Sequence, residues 1–141
     1  MSDSLNINEW VRFAQMDYTA ANDMSILHHP VPLEIVCYHC QQSAEKILKA
    51  YLIARSEPLS KTHDLNLLLN ICVGYDETFD KYAAACITLT SYAVLTRYPV
   101  GEDAITEHDM KTALINAYEI LEFSKARIAD LEHKSEERNK R

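Results

Sequence analysis

The chain has 141 residues, a length that fits one domain, and its 48% hydrophobic and 25% charged content is ordinary for a globular protein. Two isolated glycines and four prolines exclude a glycine-rich phosphate loop and argue against a β-sandwich or barrel, which needs frequent turn residues. The net charge is −7, and residues 1–133 hold ten basic against nineteen acidic residues, which argues against nonspecific binding to a nucleic-acid duplex.

The first two helices are predicted from apolar residues at three- and four-residue spacing. Asn6 and Glu9 resemble a capping box for helix one, which we expect over about 6–28, before two prolines interrupt the chain. Helix two is predicted over about 33–55, with a polar band of glutamine, glutamate and lysine beside an apolar face. That apolar face consists of Leu33, Val36, Cys37, Cys40, Ala44, Ile47, Leu48 and Tyr51.

Helices three and four are predicted on either side of a glycine. Helix three should cover about 63–73, and Gly74 suits the left-handed position that often follows a helix. Helix four should cover about 77–97, since Pro99 disfavours helical geometry at the residue before it.

The last helix and the charged C-terminus complete the predicted domain. Thr106 and Asp109 can cap helix five, whose apolar residues recur as far as Leu131. We predict one helical domain over residues 1–133 and a charged, flexible tail over 134–141. With no strand-like alternation and no internal repeat, the predicted fold is all-α, an antiparallel up-and-down bundle of four or five helices.

The sequence also bears on compartment, metals and cofactors. No apolar run approaches the roughly 20 residues needed to cross a bilayer, and the N-terminus lacks the features of a signal peptide. We therefore predict a cytoplasmic protein without membrane association, whose four cysteines are reduced and buried. The pair Cys37 and Cys40 has zinc-like spacing but lies on the apolar face of helix two, and no Glu-x-x-His motif occurs for a di-iron site. We predict no metal and no cofactor.

Two charged residues occupy positions where the helical pattern expects apolar ones. Asp17 lies on the apolar face of helix one, where an ionised carboxylate needs a partner. Arg97 extends the apolar face of helix four, and its guanidinium suits a carboxylate or a phosphate. A structural Asp17–Arg97 pair, helix capping by Arg97 and phosphate recognition by Arg97 all remain open. Lys61 precedes helix three, whose N-terminus favours an anion, or is a solvated loop charge.

Three short motifs, in this order, resemble those of the HEPN family: QQSAEKILKA at 41–50, KTHDL at 61–65 and RYP at 97–99. Asp17 fits the same pattern, and the resemblance spans roughly residues 8–132. It implies an all-α bundle, usually a homodimer, often encoded beside a minimal nucleotidyltransferase with which it forms a toxin–antitoxin-like pair. Many members of the family are metal-independent ribonucleases, and others are described as nucleotide-binding.

The motif that the resemblance implies for a ribonuclease is broken here. Ribonuclease members carry an arginine followed after four to six residues by a histidine, whereas the first histidine after Arg97 is His108, and Glu102 stands where the nearest one would be. Without that imidazole, cleavage loses a general acid–base contribution of about 10²–10⁴-fold. We therefore predict a homodimer that binds a nucleotide or a nucleotidyltransferase partner and has no ribonuclease activity. The alternatives are a metal-independent ribonuclease that pairs Arg97 with His63 or His108, and a structural dimerisation module.

The predicted binding surface joins the end of helix four to the polar band of helix two. Arg97 and Tyr98 would approach three polar-band residues, with Asp17 and Lys61 as further candidates; the three are Glu45, Lys46 and Lys49. If Glu45 and Lys49 form an exposed intrahelical pair, that pair contributes only about 0.2–0.5 kcal/mol and leaves the lysine available to a phosphate. The homodimer is also suggested by three apolar residues off the main face of helix four, namely Ile87, Leu89 and Leu95.

Overall fold

A computed structural model describes the backbone of residues 3–94 and 104–140 and the side chains of residues 7–94 and 104–140. The elements are α1 (Asp3–Leu27), α2 (Leu33–Ala54), α3 (Leu65–Tyr75), a 3₁₀ helix (Glu77–Tyr82), α4 (Ala83–Thr90) and α5 (Glu107–Asn139). No strand occurs in the described ranges. The predicted all-α helical bundle is confirmed.

The helix at the centre of the bundle is α2, which packs against α1, α3, α4 and α5. Its predicted apolar face is buried from Val36 to Tyr51, and this face forms the middle of the hydrophobic core. Being surrounded, α2 is also buried on the side that carries its polar band, where Gln41, Glu45 and Lys49 are inaccessible to solvent. This part of the predicted band therefore lies inside the molecule, whereas Gln42 and Lys46 are half-buried.

The contacts define the directions of the first helices. Trp10 lies beside Lys49, while Asp17, later in α1, contacts His39, earlier in α2, so the two helices are antiparallel. The hydroxyl of Ser43 on α2 donates to the backbone carbonyl of Ala14 at 2.8 Å and fixes this register in the interior.

One connection does not reverse the chain direction. The side-chain amide of Gln41 donates to the backbone carbonyl of His63, and Arg55 stacks over Tyr75, so α3 runs parallel to α2. The intervening loop returns along the length of α2. Further along the chain, α4 runs back beside α3, and α5 is antiparallel to α1, as the rings of Tyr18 and Tyr118 and the pair Gln15 and Lys125 show.

The C-terminus of α2 is closed by a Schellman motif without glycine. Ser56 adopts a positive φ of 64°, its amide donates to the carbonyl of Ile53, and the amide of Glu57 donates to the carbonyl of Leu52. These two bonds satisfy carbonyls that the helix leaves unpaired at its end.

The beginnings of α1 and α5 test the two predicted helix caps. The prediction for helix one is wrong in its starting point, since α1 already begins at Asp3 and Asn6 lies inside it. The prediction for helix five is confirmed, because the hydroxyl of Thr106 accepts from the amide of Asp109 and the Asp109 carboxylate accepts from the amide of Thr106. Residues 134–139, assigned to the tail, continue α5 with exposed side chains, and their flexibility stays a prediction.

Helix four is shorter than the sequence predicts. It ends at Thr90 instead of near residue 97, and its first part is a 3₁₀ helix. The Thr90 hydroxyl accepts from the amide of Leu65, and the Ser91 hydroxyl donates to the carbonyl of Thr88. The Ser91 bond is local and competes with continued helix formation, whereas the Thr90 bond connects α4 to the start of α3. The predicted helix over 77–97 is corrected to the two elements described above.

Two further expectations about α3 and α4 change. Gly74 lies within α3, which continues to Tyr75, and so does not terminate it. Leu89, expected off the main face, is fully buried, whereas Ile87 is 63% exposed. Leu95 lies outside the described residues. Over the parts of the chain that the structure describes, no helix combines the length and apolar character required to cross a membrane.

Candidate functional site

Four polar residues form one cluster, the Glu45 network, which consists of buried Gln41, Glu45 and Lys49 together with the exposed His63. Glu45 Oε1 accepts from Gln41 Nε2 at 3.1 Å and lies 3.0 Å from His63 Nδ1. Glu45 Oε2 accepts from Lys49 Nζ at 3.1 Å. Both oxygens of the carboxylate are therefore engaged by donors from α2 and from the start of α3.

The Glu45–Lys49 ion pair is an interior one. The two side chains are only 5% and 6% exposed. Burial by itself raises the pKa of Glu45, but the hydrogen bonds from Gln41, Lys49 and His63 outweigh it and hold that pKa below its ordinary value. The interpretation of this pair as weak and surface-exposed is corrected, since breaking a buried pair leaves an uncompensated charge.

The outward-facing member of the Glu45 network is His63. Its side chain is 70% exposed even though Nδ1 is held by the buried carboxylate. A carboxylate on one ring nitrogen orients an imidazole and leaves the other nitrogen for a second partner. The Thr90 hydroxyl lies 3.5 Å from the His63 carbonyl oxygen, so the end of α4 is directly beside this histidine.

A second cluster, the Asp17 network, links α1 to α2. Asp17 Oδ1 lies 2.8 Å from His39 Nδ1, and Oδ2 accepts from Lys46 Nζ. The expectation that Asp17 needs a charged partner is met, within the described residues, by groups on α2. His39 was missed from the sequence, although its position seven residues before Lys46 places both on one face of the helix.

A mostly apolar pocket of about 340 Å³ adjoins the Asp17 network. Trp10 and Phe13 form its aromatic walls, with Glu9 and Lys46 at its edge. Phe13, which the helical pattern assigns to the apolar face of helix one, is exposed here and lies 5.9 Å from Lys46 Nζ.

The remaining predicted site residues are divided between the surface and the undescribed segment. Lys61 and His108 are both exposed. Lys61 precedes His63 by two positions, and His108 lies in the first turn of α5. Arg97 and Tyr98, with Glu102, lie outside the described residues. The structure thus brings Glu45, Lys49 and His63 together and holds Asp17 with Lys46 in a separate cluster.

The cysteines behave as core residues. All four are buried and unpaired, and burial raises the pKa of Cys37 to about 12. A thiol with so high a pKa is a poor metal ligand or nucleophile at neutral pH. Across residues 3–94 and 104–140, no three histidine, cysteine, aspartate or glutamate residues are grouped as metal ligands.

The described elements form an all-α helical bundle. Residues 7–128 match the model of the HEPN domain, and the chain belongs to the HEPN family. The structure is similar to that of an archaeal HEPN homologue, with 23% sequence identity, a TM-score of 0.68, and coverage of 86% of this chain and 97% of the other. A protein of Thermus thermophilus is similar at 25% identity, with a TM-score of 0.65 and coverage of 85% and 96%. Comparison with curated proteins gives no match.

Proposed function

We propose that the protein is a homodimeric HEPN protein that binds a phosphate-bearing nucleotide where α3 begins and α4 ends. The observation that carries this proposal is the exposed imidazole of His63, fixed by the buried Glu45 beside the end of α4. Fixed donors at a surface favour an anionic ligand because little ordering is needed on binding.

One basic residue lies near His63, and the chain allows a second to reach the same end of the bundle. Lys61 is exposed two residues before His63, and among the described residues it has no ion pair. Arg97 follows Val94 by three residues, so at most about 11 Å of extended chain separates their Cα atoms. A guanidinium and an ammonium within reach of one imidazole can share a phosphate, and Tyr98 adds a ring on which a base could stack.

Ribonuclease activity is the second candidate function, and the Glu45–His63 contact favours His63 over His108 as its histidine. A carboxylate that orients an imidazole is the arrangement used for general base catalysis. The carboxylate adjacent to His108, that of Asp109, instead accepts from the amide of Thr106. In this alternative, His63 would take the proton of the attacking 2′-hydroxyl while Arg97 stabilises the phosphate.

The homodimer and a minimal nucleotidyltransferase partner belong to the same proposal. Support for a protein interface comes from exposed apolar residues close to the candidate site, chiefly Ile87 and Val94 at and after α4. An apolar surface beside a nucleotide site would allow a nucleotidyltransferase to bind there, which is the pairing that the family resemblance implies.

Binding of ATP, measured by calorimetry on the purified protein, tests the main proposal. We expect Arg97→Ala and Lys61→Ala to weaken ATP binding, each by about tenfold, since each removes one charged contact. Arg12→Ala is the matched control, because Arg12 is an exposed cation on α1 paired with Glu9. Equal affinity in all four proteins would contradict the proposal.

Cleavage of a single-stranded RNA separates the two candidate functions. We expect wild-type protein to cleave no faster than Arg97→Ala, since contaminating nucleases affect both preparations alike. An activity that is present in the wild type and lost in both Arg97→Ala and His63→Ala would instead establish the ribonuclease.

A further inference from the structure

A basic pocket lies at the end of the bundle opposite to His63. Its volume is about 430 Å³, and its walls come from the end of α2 and the last turns of α5. The lining residues are Arg55, Leu131, Lys134, Glu137 and Arg138. We call Arg55, Lys134 and Arg138 the basic triad.

The basic triad outnumbers the one carboxylate that lines the same pocket, that of Glu137. None of its three members forms an ion pair within residues 3–94 and 104–140, whereas Glu137 in the same pocket lies 3.1 Å from His133. The nearby Arg127 differs, because it is already paired with Asp76 and Asp130. Three unpaired cations from two helices therefore face one pocket in a protein whose net charge is −7.

The position of Arg55 in this pocket is fixed by stacking on Tyr75, in a way that favours binding of an anion. The guanidinium of Arg55 lies 4.9 Å from the ring centroid of Tyr75, whose hydroxyl donates to Glu57 at 2.7 Å. The stacked arginine is thus held in place before a ligand binds. The like charges that line this cavity repel one another when it is empty. A multiply charged anion bound between them attracts each of them and offsets that repulsion.

The pocket is distinct from the site proposed above. Gln41, which contacts His63, and Arg55 are separated by fourteen residues of α2, or about 21 Å along the helix. A ligand the size of a nucleotide bound at one end does not reach the other end.

We propose that the basic triad binds a compact polyphosphate, either inorganic or the triphosphate of a nucleotide. Because the three cations converge on one cavity, they can contact a small group that carries several negative charges. A neighbouring cavity of about 360 Å³ shares Arg55 and Lys134 with this pocket and is bordered on its far side by three carboxylates, those of Asp76, Glu77 and Asp130. These carboxylates would repel the continuing backbone of an RNA strand, so a compact group fits the pocket better than an extended one.

Calorimetric titration with inorganic triphosphate tests this proposal. We expect Arg55→Gln and the double variant Lys134→Gln/Arg138→Gln to weaken binding by at least about tenfold, because each loses charged contacts. Arg12→Gln, a neutralised surface cation on α1, and Arg97→Ala, at the proposed nucleotide site, should bind as the wild type does. Circular dichroism checks that each variant retains its helical content.

The outcomes separate this site from the first one. Affinity that is unchanged in the triad variants, or lost only in Arg97→Ala, would overturn the proposal without touching the proposed nucleotide site. Binding of a single-stranded RNA but not of triphosphate through the triad would also overturn it. These two ligands are compared in the Arg97→Ala variant, in which the first site is weakened. There, equal affinity for triphosphate and ATP identifies free polyphosphate as the ligand of the triad, and tighter binding of ATP identifies a nucleotide, both in support.

Discussion

The burial of Lys49 shows that the contribution of an ion pair to stability depends on where the pair lies in the fold. On an exposed helix face, Glu45 and Lys49 would interact weakly, yet at 5% and 6% exposure the loss of either partner would leave the other as an uncompensated buried charge. Spacing along α2 identifies the pair, but the sequence does not show that α1 and α3 cover it. The same limit applies to Asp17, whose need for a partner follows from its apolar surroundings, while its partners depend on the register of two helices.

Lys49→Glu should strongly destabilise the fold. It replaces the buried ammonium with a second carboxylate next to Glu45, and loss of one partner of a buried pair costs about 3–5 kcal/mol. Urea denaturation should show a large fall in the unfolding midpoint. Lys111→Glu, at an exposed position of α5, is the control and should leave the midpoint nearly unchanged. Similar midpoints for the two variants would show that the pair is not buried in solution.

The stability contributed by Glu45 should depend on pH. Its pKa in the folded protein lies below the ordinary value of 4.5, so the ionised form stabilises the fold. This contribution is present above that value and is lost as the pH falls through the folded pKa. We therefore expect Glu45→Gln to be less stable than the wild type at pH 7, with the difference shrinking below about pH 4.5.

Thermal unfolding of the two proteins between pH 3 and pH 7 measures this effect. Glu132→Gln, on the exposed part of α5, should parallel the wild type across the range. A constant difference between Glu45→Gln and the wild type at all pH values would contradict the assignment.

At the scale of elements, the end of α2 offers a stabilising change. Ser56 has a φ of 64°, a region that costs a residue with a Cβ about 1–2 kcal/mol and costs glycine almost nothing. Part of that gain is offset by the greater freedom of glycine in the unfolded chain. We expect Ser56→Gly to raise the free energy of unfolding by about 0.5–1 kcal/mol, measured by urea denaturation.

The loop residue Ser60 provides the comparison for this change. Ser60 is not among the residues with a positive φ, and its hydroxyl accepts from the amide of Thr62, so Ser60→Gly should give no gain. Equal effects of the two substitutions would mean that the left-handed conformation is not what Ser56→Gly relieves.

Some helix ends can be predicted from the sequence and others cannot. The capping box of Thr106 and Asp109 is local, and its prediction is correct because both partners lie within one turn. The end of α4 involves an interaction that is distant in the sequence, because the Thr90 hydroxyl accepts from the amide of Leu65 in another helix. Gly74 permitted a helix end but did not impose one, since glycine merely weakens a helix interior by about 1 kcal/mol.

At the scale of the molecule, the fold and its family were predictable, whereas the placement of the polar residues was not. Apolar periodicity gives five helical segments and the core face of α2 without any knowledge of their arrangement. That α3 lies parallel to α2 depends on the loop between them, and this arrangement places His63 beside the buried Gln41 and Glu45. The candidate site therefore follows from topology more than from any single motif.

Self-association is the prediction that belongs to the whole molecule. We expect sedimentation at micromolar concentration to show a species of about twice 16.1 kDa, held together through the exposed apolar side of α4. Ile87→Lys should shift this species toward the monomer, because it places a charge on that surface. Leu59→Lys, at an exposed loop position, should not. A wild-type protein found only at 16 kDa would contradict the dimer.

Because α5 is long, its C-terminal turns can unfold locally while the rest of the molecule stays folded. Its 33 residues extend over about 50 Å, whereas the 22 residues of α2 extend over about 33 Å. The turns after Leu131 are held by their own backbone hydrogen bonds, so their amides should exchange with solvent through local fraying while the core stays closed. A polyanion that joins Arg138 to Arg55 would tie this segment to α2. Slower amide exchange over 134–139 with triphosphate present would then report occupancy of the pocket directly.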